Sequence, residues 1–259
     1  MRQWSTLFQK EMLEMWRNFK WIWVPITFIL LGVSEPLTNY YMEPLLNALG
    51  GLPEGAVFDI PTPSAGAVLA SGLSQYSTIG VLIIVLSTMG VIAGERKSGV
   101  AAMILVKPVS YLSYITAKWA GGILLVWISL FIGYLATWYY TGQLFDWIPF
   151  GEFFQSYLLY AIWLSVVLTV TVFFSASLMA PGMAGFISLA LALVVSIISG
   201  ALVHLLEWSP SQLTGYASSL LTAGELPDDT LPASLVGILI IAILLWLSVL
   251  IFKKKELAS

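Results

Sequence analysis

The chain has 259 residues, of which 59% are hydrophobic and only 10% charged, against roughly a quarter charged in a soluble domain. With a formal net charge of −3, that balance excludes an ordinary water-soluble enzyme and offers no basic surface for a nucleic-acid partner. Cysteine is absent and histidine occurs once, so disulfides and thiolate sites are excluded and no metal site is expected.

No short basic region followed by an apolar one opens the chain, so no secretory signal is expected. Residues 1–20 instead put Trp4, Leu7, Phe8, Met12, Met15, Trp16 and Phe19 at three- and four-residue intervals. Arg2, Gln3, Lys10, Glu11, Glu14, Arg17 and Asn18 fall mostly between them. That spacing predicts an amphipathic helix lying in the membrane interface, with Trp at headgroup level.

Six hydrophobic runs follow, at about 21–41, 75–94, 119–140, 155–175, 184–206 and 233–252, each near the ~20 residues that cross ~30 Å of hydrocarbon. The first contains Pro25, Glu35 and Pro36, so it is expected to be the least regular, with its helix already breaking at Pro36. Between the fourth and fifth, Pro181 and Gly182 oppose helix continuation. The expected fold is an all-α integral membrane protein: residues 1–20 as an interfacial helix, then a single six-span domain over 21–259.

Charge placement orients it. With the N-terminus inside, all eleven Lys and Arg are cytoplasmic or at the inner surface, from Arg2 to Lys253, Lys254 and Lys255. The outer segments 42–74, 141–154 and 207–232 contain none, yet carry acidic residues from Glu43 to Asp229. Basic residues near span ends set topology, so both termini are expected in the cytoplasm. Residues 42–74 read as an ordered loop or short helices. The mildly apolar stretch Leu213 to Leu221, flanked by Pro210 and Pro227, reads as a short helix at the outer interface.

Some residues within the runs are pathway or gate candidates. Glu35 is the only acidic residue clearly inside a run, and an intramembrane carboxylate is costly enough to suggest function. It lies roughly 22 Å up from Lys20 at 1.5 Å per residue, where outer water can reach it. His204, beside Glu207, could pair with Glu35 if the first and fifth spans touch. Ser188, Ala192, Ser196 and Ser199 share an arc of about 80° on the fifth run, which packing alone would explain. Aromatic clusters such as Trp138-Tyr139-Tyr140 fit interfacial anchoring.

The segment between the second and third runs, 94–118, reads GERKSGVAAMILVKPVSYLSYITAK and holds four of the eleven basic residues: Arg96, Lys97, Lys107 and Lys118. Its order is Glu95-Arg96-Lys97-Ser98-Gly99, an apolar turn Met103-Ile104-Leu105, then Lys107-Pro108-Val109-Ser110, and Ala117-Lys118 before the next run. This resembles the membrane subunits of ATP-binding-cassette exporters of the type 2 family. There a Glu with nearby basic residues, a Gly, a Leu-Leu pair, Pro-Val-Ser and a later Lys mark the cytoplasmic loop between spans two and three. Phe8-Gln9-Lys10-Glu11 is similar to that family's Lys-Glu in the lead-in helix. Tyr111 stands where a basic residue is common, and Val100 where Thr is common.

The resemblance implies a cell-membrane permease whose 95–118 loop forms a coupling helix, docking on a separate nucleotide-binding ATPase. Its contacts would be Glu95, Arg96, Lys97, Gly99, Met103, Ile104, Leu105, Lys107, Pro108 and Ser110. The residues suit that role: Gly99 can end the second span's extension, Pro108 can stop the apolar turn, and Ser110 can cap the next helix. The same cations could instead only fix topology and bind anionic headgroups. No Gly-x-x-x-x-Gly-Lys-Ser/Thr loop is present, so no cofactor is expected in this chain. ATP and magnesium would bind two partner ATPase subunits. Six spans are half of that family's usual complement, which implies a second copy or a homologous permease, surrounded by membrane lipid. The likeness also implies that spans two and five line the path.

Two other readings stand beside this one. An intramembrane enzyme would need a nucleophile with a base or paired metal ligands, and one His with no Cys leaves little for either. A non-transporting immunity or sensor protein would use the acidic outer loops to attract cationic antimicrobial peptides.

Overall fold

The computed structural model describes residues 2–48, 62–106 and 109–256, which are helical and contain no strand. Helix α1 (Arg2–Arg17) packs on the third span and gives way to α2 (Lys20–Ala48). The turn between them bonds Asn18 N–H to the Glu14 carbonyl and Phe19 N–H to that of Trp16. Phe19 takes a left-handed φ of 57°, a conformation costly for a bulky residue.

Among the described residues, six helices are long and apolar enough to cross a membrane: Lys20–Met42, Ala65–Lys97, Tyr111–Leu144, Phe150–Ser177, Pro181–Ala201 and Thr230–Lys255. The first stays helical through both prolines to Ala48, so the break expected at Pro36 does not occur. In hydrocarbon no water competes for the remaining carbonyls, and a proline-bearing helix persists where it would fray in water.

The second span, not the first, is the irregular one. It begins at Ala65, where Ser64 caps α3 (Ala65–Gln75) by accepting from Ala67 N–H. It then passes through a π turn (Tyr76–Gly80) into α4 (Val81–Thr88). The helix breaks over 89–92 and resumes as α5 (Ala93–Lys97). Helix α6 (Val100–Leu105) follows Gly99, whose φ of 79° supplies the left-handed turn. Ser110 then caps α7 (Tyr111–Leu144), its hydroxyl accepting from Ser113 N–H at 3.1 Å.

Helix α8 (Phe150–Ser177) is the axis of the bundle. Its apolar window is 72% buried, against 22% for the first and fifth spans and 17% for the sixth. Pro181 occupies the first turn of α9 (Pro181–Ala201), where its missing N–H costs nothing. Beyond α9, helix α10 (Leu213–Ala223) ends at left-handed Gly224 and seats Leu213, Ala217, Leu220 and Leu221 on α3 and α8. Helix α11 (Thr230–Glu256) runs back along α8. Of the segment 42–74 expected outside the spans, residues 42–48 continue α2, 65–74 already belong to α3 of the second span, and 49–61 lie outside the described residues.

Candidate functional site

The end of the bundle that carries α1, α5 and α6 holds most of its buried charge. Glu95, on the one full turn of α5, is 8% exposed and Lys118 on α7 is 3% exposed. Lys118 Nζ donates to Glu11 Oε1 at 2.8 Å and meets Glu95 Oε1 at 2.9 Å. The Tyr114 hydroxyl donates to the other oxygen, Glu95 Oε2, at 2.5 Å. Lys10 Nζ completes the cluster, meeting Glu95, Glu11 at 3.1 Å and Glu14 at 2.8 Å. Burial works against the Lys10 charge, but Glu11, Glu14 and Glu95 outweigh it and raise its pKa.

Three segments far apart in the chain are thereby tied by charge-assisted bonds, the shorter and stronger kind. Oxygens of Glu11, Glu14 and Glu95 converge within 4.8 Å of one another. Lys10 bonds to all three, so an ammonium stands where a metal ion would. The arrangement is an ion-pair lock.

The sequence-predicted coupling residues divide by exposure. Glu95, expected as a docking contact, faces inward into this lock. Arg96 also turns to its own chain, donating to the Ala176 carbonyl at 3.3 Å and lying over the Phe252 ring. Lys97 is exposed. The apolar turn beyond Gly99 does project: Met103 is 73% and Val106 87% exposed, while Ile104 packs on the core. The side chain of Leu105, and Lys107 and Pro108, lie outside the described residues.

The gate candidates are not brought together. Glu35 is half-buried and accepts from Gln75 Nε2 at 2.5 Å and Asn39 Nδ2 at 3.3 Å. His204 sits on an exposed 3-10 turn (Val203–Leu205), and the first and fifth spans share no extended contact. Ser188 and Ser199 are buried, Ser196 exposed. Ser188 bonds back to the Ala184 carbonyl and Ser199 meets Ser209 at 2.9 Å, so packing accounts for both.

Sequence reasoning missed Glu11, Tyr114 and Lys118 as a unit, because Glu11 reads as a solvated position on the polar face of α1. Lys118 reads as a flank just before the third run, and only the start of α7 at Tyr111 puts it inside a spanning helix, where it demands a counter-charge. It also missed Ser175. At the 89–92 break this hydroxyl accepts from Ile92 N–H at 3.1 Å and Ala93 N–H at 3.0 Å, and donates to the Met89 carbonyl at 2.8 Å. Lys20 takes the Ser87 carbonyl at 2.7 Å.

Residues 5–257 match the family described as ABC-2 family transporter protein. The chain is also similar to the uncharacterized transmembrane protein YxlG of Bacillus subtilis (strain 168), at 33% identity over 256 residues covering 99% of each.

Proposed function

On the premise that the chain belongs to the ABC-2 transporter family and is a multi-pass permease of an ATP-binding-cassette transporter, we propose that it works as an exporter half. Two such halves enclose the path, and a separate ATPase drives each through residues 95–118. Both termini and this segment face the cytoplasm of the cell, following the eleven cations.

The observation that carries this reading is the apolar turn at Met103 and Val106, exposed beside a buried ion-pair lock. An exposed apolar knob on a braced support is what an anchor-and-groove contact requires. Glu95 and Arg96 then act as positioning residues: they transmit a push on α6 into α1, α7 and the break at 89–92, and the partner need not touch them. Gly99 and Ser110 set the angles of α6 and α7 at either end. Lys97, which is exposed, supplies the charged rim.

The test is co-purification with a co-expressed nucleotide-binding ATPase subunit, followed by an ATPase assay. Replacing Met103 and Val106 with Asp is expected to detach the ATPase while membrane insertion stays normal. Retained assembly and full ATPase stimulation in that variant would sink the docking assignment.

A further inference from the structure

A cavity of about 260 Å³ opens beside the ion-pair lock, between α1, α2, α4 and the lower parts of α7 and α8. It is below the usual volume of a drug-sized site and suits a small polar group. Its upper wall is apolar, with Trp23, Leu86, Leu125 and Leu168, and its lower wall carries Glu11, Glu14, Lys20 and Lys118. A cavity with one greasy and one charged wall, at the mouth of a spanning bundle, fits an amphiphile better than a soluble solute.

Charge narrows the class. Two carboxylates and two ammoniums give the wall no formal net charge, so the lining has no excess of cations to favour a purely anionic headgroup. Lys118 is already engaged by Glu11 and Glu95. Lys20 is not. Its ammonium donates to the Ser87 carbonyl at 2.7 Å, and among the described residues no carboxylate lies within 4.0 Å of it. An ammonium has three N–H donors, so two remain for an anion. On the same wall Glu14 meets Lys10 through Oε2 at 2.8 Å and is 45% exposed on its side chain, and a carboxylate has acceptor sites enough to take a ligand N–H as well.

We propose that this cavity binds the headgroup of a phospholipid with a primary ammonium, phosphatidylethanolamine being the class. The phosphate sits against Lys20, the ammonium against Glu14, and the glycerol and first methylenes lie along Trp23 and Leu86. Choline fits the charge but has no N–H to give Glu14. The site stands apart from the coupling assignment, since it requires only that the helices sit in a bilayer.

The test is native mass spectrometry and thermal unfolding of the full-length protein in nanodiscs. Phosphatidylcholine alone is compared with the same bilayer doped with phosphatidylethanolamine or phosphatidylglycerol. The expected result is an ethanolamine-lipid adduct that survives delipidation and a higher Tm in that bilayer only. Glu14→Gln and Lys20→Ala are each expected to weaken retention about tenfold or more, with Lys20→Arg keeping it and Lys254→Ala, on the exposed end of α11, having no effect. Equal retention of phosphatidylglycerol overturns the proposal, as does unchanged retention in Glu14→Gln. So does full protection by inorganic phosphate or soluble glycerophosphoethanolamine, which would make the cavity a site for a free anion or headgroup. Because Glu14 is 45% exposed on its side chain, its substitution leaves the fold intact and keeps the test decisive if Lys20→Ala misfolds.

Discussion

Lys118 is a cation with 3% exposure whose charge is tolerable only because Glu11 and Glu95 receive it. Removing it leaves two buried carboxylates sharing the half-exposed Lys10. Breaking a buried pair from one side is costly because the other charge stays behind. Lys118→Met is therefore expected to lose on the order of 3 kcal/mol, read as a fall in Tm in detergent, with part of the loss recovered on adding Glu95→Gln. Ser175 offers a neutral counterpart. Ser175→Ala leaves the Ile92 and Ala93 N–H groups without their acceptor, at roughly 1–3 kcal/mol for buried unsatisfied groups. Hydrogen exchange at those two amides should accelerate while amides of α8 stay protected. Unchanged exchange at 92 and 93 would mean that another group holds the break.

At the scale of helices, α2 and α7 make the most extensive contact in the molecule, and glycine makes it possible. A Cβ at Gly133 would stand 2.7 Å from the backbone of Phe28, so Gly133→Ala must push two backbones apart. Overpacking of this kind costs about 1–3 kcal/mol. Gly200→Ala, with open space around it, is the matched control and should leave Tm unchanged. Sharing small residues to bring backbones close is how helices associate where lipid removes the hydrophobic drive.

The same helices show what a sequence can disclose. Six spans were legible because each apolar run is itself long enough to cross hydrocarbon, a property of the run alone. The Gly99 turn and the Ser110 cap were legible because their cause is local. The π turn at Tyr76 and the break at 89–92 were not, since no proline marks either and their partners lie far along the chain. Tyr160 reaches Ser77 and the Leu73 carbonyl, and Ser175 and Lys20 hold the break. Prolines 25 and 36, which do announce a break, sit in unbroken helix. Glu95 shows the limit at the candidate site: it stands in a charged run with Arg96 and Lys97 that reads as surface, and only the packing of α1 and α7 supplies the Lys10, Lys118 and Tyr114 partners that turn it inward.

For the whole molecule, the distribution of charge and of burial must be satisfied by one placement in the bilayer. Helix α8 is enclosed by its own chain, while the first, fifth and sixth spans leave most of their surface outward. Phe186 and Ile197 on α9 and Leu235 on α11 are more than half exposed, as suits lipid or a second protomer. The proposed orientation puts Arg17, Lys20, Lys97, Lys118 and Lys253–Lys255 at one face and Glu207, Glu225, Asp228 and Asp229 at the other. Inverting it would drag every cation to the wrong leaflet, against the bias that fixes topology. Because the chain has no native cysteine, single-cysteine variants read this directly. Glu225→Cys should react with a membrane-impermeant maleimide in intact cells, and Met103→Cys only after permeabilisation. The reverse pattern would place the exposed apolar turn where no ATPase can reach it, and the proposed transport cycle would lose its drive.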